Sequence, residues 1–555
     1  MAIVANSIIP LRHLLIIAGL SLVLMAPAFL LSAGGADLHC QSLWVKLFTA
    51  QFWQGEYYPR WLQDMYAGSG SPVFFYYPPL TYFITAFFAW LAPLDAFGYA
   101  PIAASSLLAV FLSGLTFYIW MGGESDNKNA ALMGSLLYIA APNHIAQNFY
   151  YAMLFSSVWS YVWVPLLMLY AKKIARAQPY AMAGFAVTLF LLIMTNLPMT
   201  AIFGPLAVAY SVLHSVKGQR LRHAMRLGMA IALGFGLSAI YLAPAIVYRA
   251  FTFASLQWKT TVNNSDYSRS NLFMGFDATN SKVYTLYLIV SVILLFVYWN
   301  SVPKKPARSF FLVASLAGCF MMLPVSRFLW DNLALLQMVQ LAERFFAVTT
   351  VCLALFAALA LPRLKVFSYA LLALCIGINV IVAVDTRQNM ESYKKSDPQL
   401  YENYTLNIDQ YANYLTTFDI YKRYYSAAGL AEVKAHSEKV EVLQGHADVE
   451  VKIWRPRDIV LHFKASEPFK IRVRQFDFPG FRAFSGDQEL ETVRDEHTGH
   501  IIIDVAAGEG DIKLELTHLL PEMIGKILSI LCAALVSLLL LFEMRQSQNK
   551  RLTSR

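Results

Sequence analysis

Asp37 and His39 follow directly on the first long apolar segment of this 555-residue chain, where a membrane mouth meets water. A carboxylate at such a mouth can take a proton from an acceptor hydroxyl or bind a divalent cation, and water lies near enough to keep it ionised. As an extended pair, Asp37 and His39 face one cavity. The plainer alternatives are a capping aspartate after Gly34 and Gly35 and an interfacial histidine. Basic residues supply a second chemistry. Guanidinium groups bind phosphate through paired charge-assisted hydrogen bonds, which makes Arg60 and Arg344 candidates for an anionic headgroup. Arg344 stands beside Glu343 where an apolar helix begins, so the two also suit a simple interfacial pair. Lys259 and Arg269 belong to the same group of outer cations. Glu56, Tyr58, Tyr77, Asn143 and His144 complete the expected substrate cavity, each with a plainer reading as surface or capping group.

These residues need a membrane scaffold. The chain is 57% hydrophobic and only 14% charged, which excludes an ordinary soluble globule. Thirteen apolar segments are expected, near residues 12–33, 76–93, 99–121, 129–142, 153–171, 178–196, 199–214, 227–248, 283–300, 309–323, 344–361, 366–384 and 522–542. The net charge of +9 falls in short Lys/Arg clusters between them, as in cytoplasmic loops, and calls for no nucleic acid. With those clusters inside, four apolar segments separate the outer stretch at 34–77 from Lys172, and only an odd number can cross. Segment 76–93, which opens on Pro78 and Pro79, is expected to stay embedded. The fold class is therefore a polytopic α-helical membrane protein with about twelve crossings, one embedded segment and both termini cytoplasmic.

Residues 1–384 form the transmembrane domain, with 34–77 as an aromatic, interfacial first outer loop. Residues 385–521 read as an outer domain, because VEVKIW, IVLHF, FKIRVRQF, HIIIDV and DIKLEL alternate with period two, as strands of a β-sandwich do. Its lead, SYKKSDPQLYENYTLNIDQYANYLTTFDIYKRYY, reads as helical or irregular. A final transmembrane helix and a basic tail occupy 522–555. Five scattered cysteines have no metal-type spacing. No Walker loop, GxGxxG, HExxH or GxSxG stands out, so no nucleotide-coupled step is indicated.

An Asp after the first helix, then GEYYPRW and GSGSPVFFYYPPLTYF, resembles the first outer loop of GT-C type glycosyltransferases. The pattern is most similar to bacterial polytopic proteins labelled 6-pyruvoyl-tetrahydropterin synthase-related, a label that implies no pterin chemistry here. APNHIAQNFYY, TNLPMT, LQMVQLAERFFAV, FDFPGFRAFSGDQEL and VAAGEGDIKLEL continue the likeness. It implies an inner-membrane enzyme that moves sugar from a polyprenyl-phosphate carrier to an envelope glycan, lipid or protein acceptor. Asp37 would then be the catalytic or metal-binding carboxylate, and Arg60 and Arg344 would hold the donor phosphate. The implied partners are that carrier and membrane lipids; a divalent cation is the one cofactor left open. Asp37 and His39 stand closer together than the Asp-x-x-x-His of relatives, and NFYYAMLFSS lacks an acidic residue common in the second outer loop. The rival functions are a lipid-linked glycan transporter or flippase and a noncatalytic membrane assembly factor.

Overall fold

Apolar runs interrupted by Pro, Gly and basic residues fold as helices in the computed structural model, which describes residues 9–31, 34–35, 37–94, 99–216, 218–251, 279–302, 306–337, 339, 341–395 and 438–553. The helices are α1 (Leu11–Leu31), α2 (Leu38–Trp53), α3 (Leu80–Ala86), α4 (Tyr99–Met121), α5 (Lys128–Ala140), α6 (Phe155–Ala175), α7 (Ala181–Thr195), α8 (Leu197–Leu213), α9 (Arg220–Leu237), α10 (Ala239–Tyr248), α11 (Thr279–Trp299), α12 (Pro306–Met321), α13 (Phe346–Ala360), α14 (Lys365–Lys395) and α15 (Leu520–Thr553). Five of the described stretches are long and apolar enough to cross a membrane, and the bent pair α9 and α10 makes a sixth if it is one span. Helix α3 has 7 residues. At 1.5 Å per residue it covers about a third of a hydrocarbon core of about 30 Å. Of the tyrosine-rich lead, residues 392–395 end α14, while 396–425, Lys259 and Arg269 lie outside the described residues.

Buried polar contacts define two ends. At one end, Lys172 of α6 meets Glu124 at 2.6 Å, and the Tyr210 hydroxyl donates to the same carboxylate at 2.6 Å. His13 of α1 contacts Tyr118 there at 3.0 Å, and the rings of Phe310 and Phe311 pack on Tyr210. Asp37, the connection between α5 and α6, and the β region gather at the other end.

Proline sets the local chemistry of the bundle. A proline has no N–H for the carbonyl four residues before it, and a membrane interior has no water to replace that donor. Three such carbonyls find side-chain donors. Ile240, four residues before Pro244, accepts from Arg60 Nη2 at 2.7 Å. Tyr161, four before Pro165, accepts from the Tyr138 hydroxyl at 2.9 Å. Tyr138, four before Pro142, lies 3.4 Å from His144 Nδ1, a contact that needs the Nδ1–H tautomer. The 69° bend between α9 and α10 is closed similarly: Ser529 Oγ donates to the Leu237 carbonyl and accepts from the Ile240 N–H at 2.8 Å.

Residues 440–516 form two antiparallel sheets, with strand orders β1-β4-β8-β7 and β2-β3-β9-β5-β6. The strands are β1 (Val440–Gln444), β2 (Ala447–Arg455), β3 (Asp458–Ala465), β4 (Phe469–Phe476), β5 (Phe481–Ser485), β6 (Gln488–Leu490), β7 (Thr492–Arg494), β8 (His500–Val505) and β9 (Gly508–Leu516). Alternate residues Ile459, Leu461 and Phe463 of β3 and Ile512, Leu514 and Leu516 of β9 are buried, as the period-two pattern requires. The turn Asp477–Gly480 carries the region onto the stretch 34–77. Trp61 Nε1 donates to Gln475 Oε1 at 2.7 Å, the Phe476 N–H meets the Ser69 carbonyl at 2.6 Å, and Phe478 packs on Trp61 and Phe75. His500 Nε2 reaches Ser69 Oγ at 2.9 Å.

The turn before His500 is built on Asp495. Burial raises the pKa of this carboxyl, but the His497 and Thr498 N–H groups and the Arg472 guanidinium outweigh that and hold it below the ordinary value. A depressed carboxylate stabilises the fold above its unfolded pKa of about 3.9, and that stabilisation fades as pH falls through the lower folded value. Limited proteolysis of the full-length protein in detergent should find the Asp495 turn protected at neutral pH and cleaved only under acid. Asp495→Asn should be cleaved at neutral pH already.

Candidate functional site

Asp37 begins α2, yet its side chain caps none of the helix amides. Its backbone is fixed instead: the Asp37 N–H donates to the Ala152 carbonyl at 3.2 Å, and Gln41 N–H donates back to the Asp37 carbonyl at 3.0 Å. Ala152 follows a buried nine-residue π-helix, Asn143–Tyr151, a rare geometry often found at functional sites. Gly35 makes the approach feasible, because a Cβ there would lie 2.5 Å from the Met153 nitrogen and the Tyr151 carbonyl. Met153 itself is buried with φ +56°, a costly conformation for a side chain of its size.

Tyr77 shares this rim with Asp37. Burial, with smaller help from the Asp37 and Cys40 charges, pushes the Tyr77 phenol above its usual pKa against hydrogen bonds to Ser156 and Gln41. Tyr77 is therefore a protonated donor at neutral pH. Gln41 also accepts from the Tyr82 hydroxyl at 2.5 Å, and Asn196 spans to Ser157 at 3.1 Å. His39 lies in the first turn of α2. Its side chain is outside the described residues, as is any contact between it and Asp37.

Asn143 and His144 lie in the π-helix and meet on Tyr161. Asn143 Nδ2 donates to the Tyr161 hydroxyl at 2.6 Å, and the His144 ring stacks on Tyr161 with centroids 4.0 Å apart. Gln147 Nε2 donates to Glu343 Oε1 at 3.1 Å, which brings Glu343, in the turn before α13, against the π-helix. Arg344 Nη1 donates to the Val339 carbonyl at 2.7 Å.

Glu56, Tyr58 and Arg60 form a separate group. Arg60 Nε pairs with Glu522 Oε2 at 3.2 Å, both side chains being nearly inaccessible at 4% and 6%. The Arg60 guanidinium lies 3.7 Å over the Tyr58 ring, a cation–π contact. Arg457, in the turn between β2 and β3, bridges Glu56 at 3.1 Å and Glu522 at 3.3 Å. These contacts of Arg60 and Glu56 join the stretch 34–77 to α10, α15 and the sheets. None of them is to Asp37. Among the described residues no group of three or more His, Cys, Asp or Glu side chains is assembled to hold a metal ion.

A family model described as 6-pyruvoyl-tetrahydropterin synthase related domain, membrane protein, matches residues 74–392. The chain belongs to that family. No curated protein matches it. The family segment holds Tyr77, the π-helix and Arg344, whereas Asp37, the Arg60 joint and both sheets lie outside it.

Residue-by-residue reading did not single out Gln41, Ser156, Gln147, Arg457 or Glu522. The one available signal was Glu522, an acid in the first turn of a lipid-length helix, where ionisable groups are expensive unless paired. Removing one partner of a buried ion pair costs about 3–5 kcal/mol. Arg60→Ala also strips the donor from the Ile240 carbonyl, so it should lower the melting temperature of the detergent-solubilised protein by several degrees. Arg60→Lys should recover only part of that loss, because an ammonium cannot serve Glu522 and Ile240 with one planar fork. An unchanged melting temperature in Arg60→Ala would remove this structural role.

Proposed function

We propose that the protein is a GT-C type glycosyltransferase of the bacterial inner membrane, with about twelve crossings, both termini cytoplasmic and a sandwich of the two sheets outside. It moves a sugar from a polyprenyl-phosphate carrier to an envelope acceptor on the outer face. The observation that carries the reading is Asp37: an acid at the bundle mouth that does not cap its own helix and whose backbone is tied to a buried π-helix.

In this reaction the acceptor hydroxyl oxygen attacks the anomeric carbon while the bond from that carbon to the carrier phosphate oxygen breaks. The hydroxyl proton passes to the Asp37 carboxylate, the bonding pair leaves with the phosphate, and the configuration inverts. Arg344 meets the departing phosphate, since its position on the π-helix wall is on the same end of the bundle. No nucleotide is consumed at the site, because the carrier phosphate is the leaving group.

A second reading has one observation in its favour. Glu56 and Arg60, two of the sequence candidates, are engaged in joining the outer sheets to the bundle, as in a noncatalytic assembly factor that presents its sheets to a partner. Lipid and glycan mass spectrometry of a deletion strain, complemented with wild type or Asp37→Asn, separates the two. Asn matches Asp in shape but cannot accept the proton. Asp37→Asn should express and insert normally while losing on the order of a hundredfold in turnover, the scale of a general base. Full complementation by that variant would favour the assembly factor. For Arg344→Lys, the Michaelis constant for the lipid donor should rise while the melting temperature stays near wild type. A transporter would instead deliver carrier-linked glycan across vesicles without releasing polyprenyl phosphate.

A further inference from the structure

The sequence places no acid in the second outer loop, but the fold brings one to it. Glu343, from the loop before α13, accepts from Gln147 Nε2 at 3.1 Å across 196 residues of chain. Gln147 is buried in the π-helix, and its carbonyl accepts the Ala152 N–H at 2.9 Å. The Ala152 carbonyl in turn accepts the Asp37 N–H at 3.2 Å. A continuous line of hydrogen bonds therefore runs from one carboxylate to the backbone of the other. The segment it crosses needs that support. Met153 is held at φ +56°, Gly35 is pressed against the Tyr151 carbonyl, and a π-helix forgoes the regular α-helical ladder.

We infer that Glu343 is a positioning residue for Asp37: by fixing Gln147 it sets the π-helix, and through Ala152 it sets the depth at which Asp37 enters the site. This rests on the transferase reading for its kinetic consequence but not for its structural one. A misplacement of about 1 Å can cost on the order of a hundredfold in rate. Glutamine at position 343 keeps an acceptor oxygen for Gln147, whereas leucine keeps none.

The test is a double-mutant cycle on the full-length protein, using transfer kinetics and hydrogen exchange of the Asp37 and Ala152 amides. Glu343→Leu should lower kcat about tenfold or more, leave KM for the lipid donor unchanged and speed exchange at both amides. Glu343→Gln should restore most of the rate and the protection. Placed on Asp37→Asn, Glu343→Leu should cost nothing further, because a positioning residue has no effect once the positioned group is inert. Equal losses on both backgrounds, or a rise in KM alone, would overturn the inference while leaving the transferase reading intact. Full activity of Asp37→Asn would instead sink the transferase reading, and the exchange data alone would then decide. Unchanged exchange in Glu343→Leu would overturn the inference on that arm.

Discussion

The carbonyl of Ile240 is the constraint on which much of this structure turns. Pro244 deprives it of its helical donor, and membrane surroundings offer no water in exchange. Arg60 supplies the missing hydrogen bond at 2.7 Å, but a buried guanidinium brings a charge that must be balanced. Glu522 balances it from the first turn of α15, and Arg457 then couples that carboxylate to Glu56 and the sheets. One proline thereby links the broken helix, the stretch 34–77, the final helix and the β region. The aromatic seat of Phe478 on Trp61 and Phe75 adds apolar burial to this polar joint.

The same logic recurs at Pro142 and Pro165, whose unserved carbonyls lie near His144 Nδ1 and under the Tyr138 hydroxyl. Together with the Asn143 bond to Tyr161, these contacts lock the π-helix to α5 and α6. A polar residue inside an apolar bundle is commonly read as functional. Here two such residues, Arg60 and His144, already have work in closing gaps left by proline. At Asp37 the side chain makes no capping bond to its own helix, and the backbone is anchored from outside that helix.

Most helices were legible in the sequence as apolar runs closed by Pro, Gly or a basic cluster, but the segment expected at 227–248 is two helices bent by 69°, and those expected to end at 384 and 542 run on to Lys395 and Thr553, because polar residues continue a helix beyond its apolar run. Strands β2, β3, β4, β8 and β9 were legible as strict alternation; β1, β6 and β7 were not, being short or half-exposed on both faces. Helix α3 lies within the expected segment 76–93. The π-helix was not legible, because nine residues rich in Asn, Gln and aromatics have no periodicity that separates a wide helix from a loop. At the site, Asp37 and Tyr77 were named and share one rim, and Asn143 and His144 were named and meet on Tyr161, with Arg344 next to the Glu343 that accepts from Gln147. What the sequence could not disclose was partnership. Arg60 with Glu522 is joined across most of the chain and Gln147 with Glu343 across 196 residues of it, and one sequence carries no record of such pairings.

The division between these two groups bears on how chemistry can be held at a membrane surface. A loop carries functional side chains only as well as its backbone is fixed, and the stretch 34–77 is fixed twice by independent means. The Arg60 joint holds its distal half to the sheets and the final helix, and the Ala152 contact holds its start to the π-helix. Between these anchors, α2 packs through Trp44 and Phe48 on Phe74 and Tyr82, so it behaves as a rigid strut rather than a tether. A disturbance at the sheets must then travel through buried aromatic packing before it reaches Asp37, whereas a disturbance at Gln147 reaches it through two hydrogen bonds. The family segment contains the second route and lacks most of the first. The π-helix wall is thus the part of the site that the family fold can hold by itself, and the sheets and final helix brace the opposite end of the loop that carries Asp37.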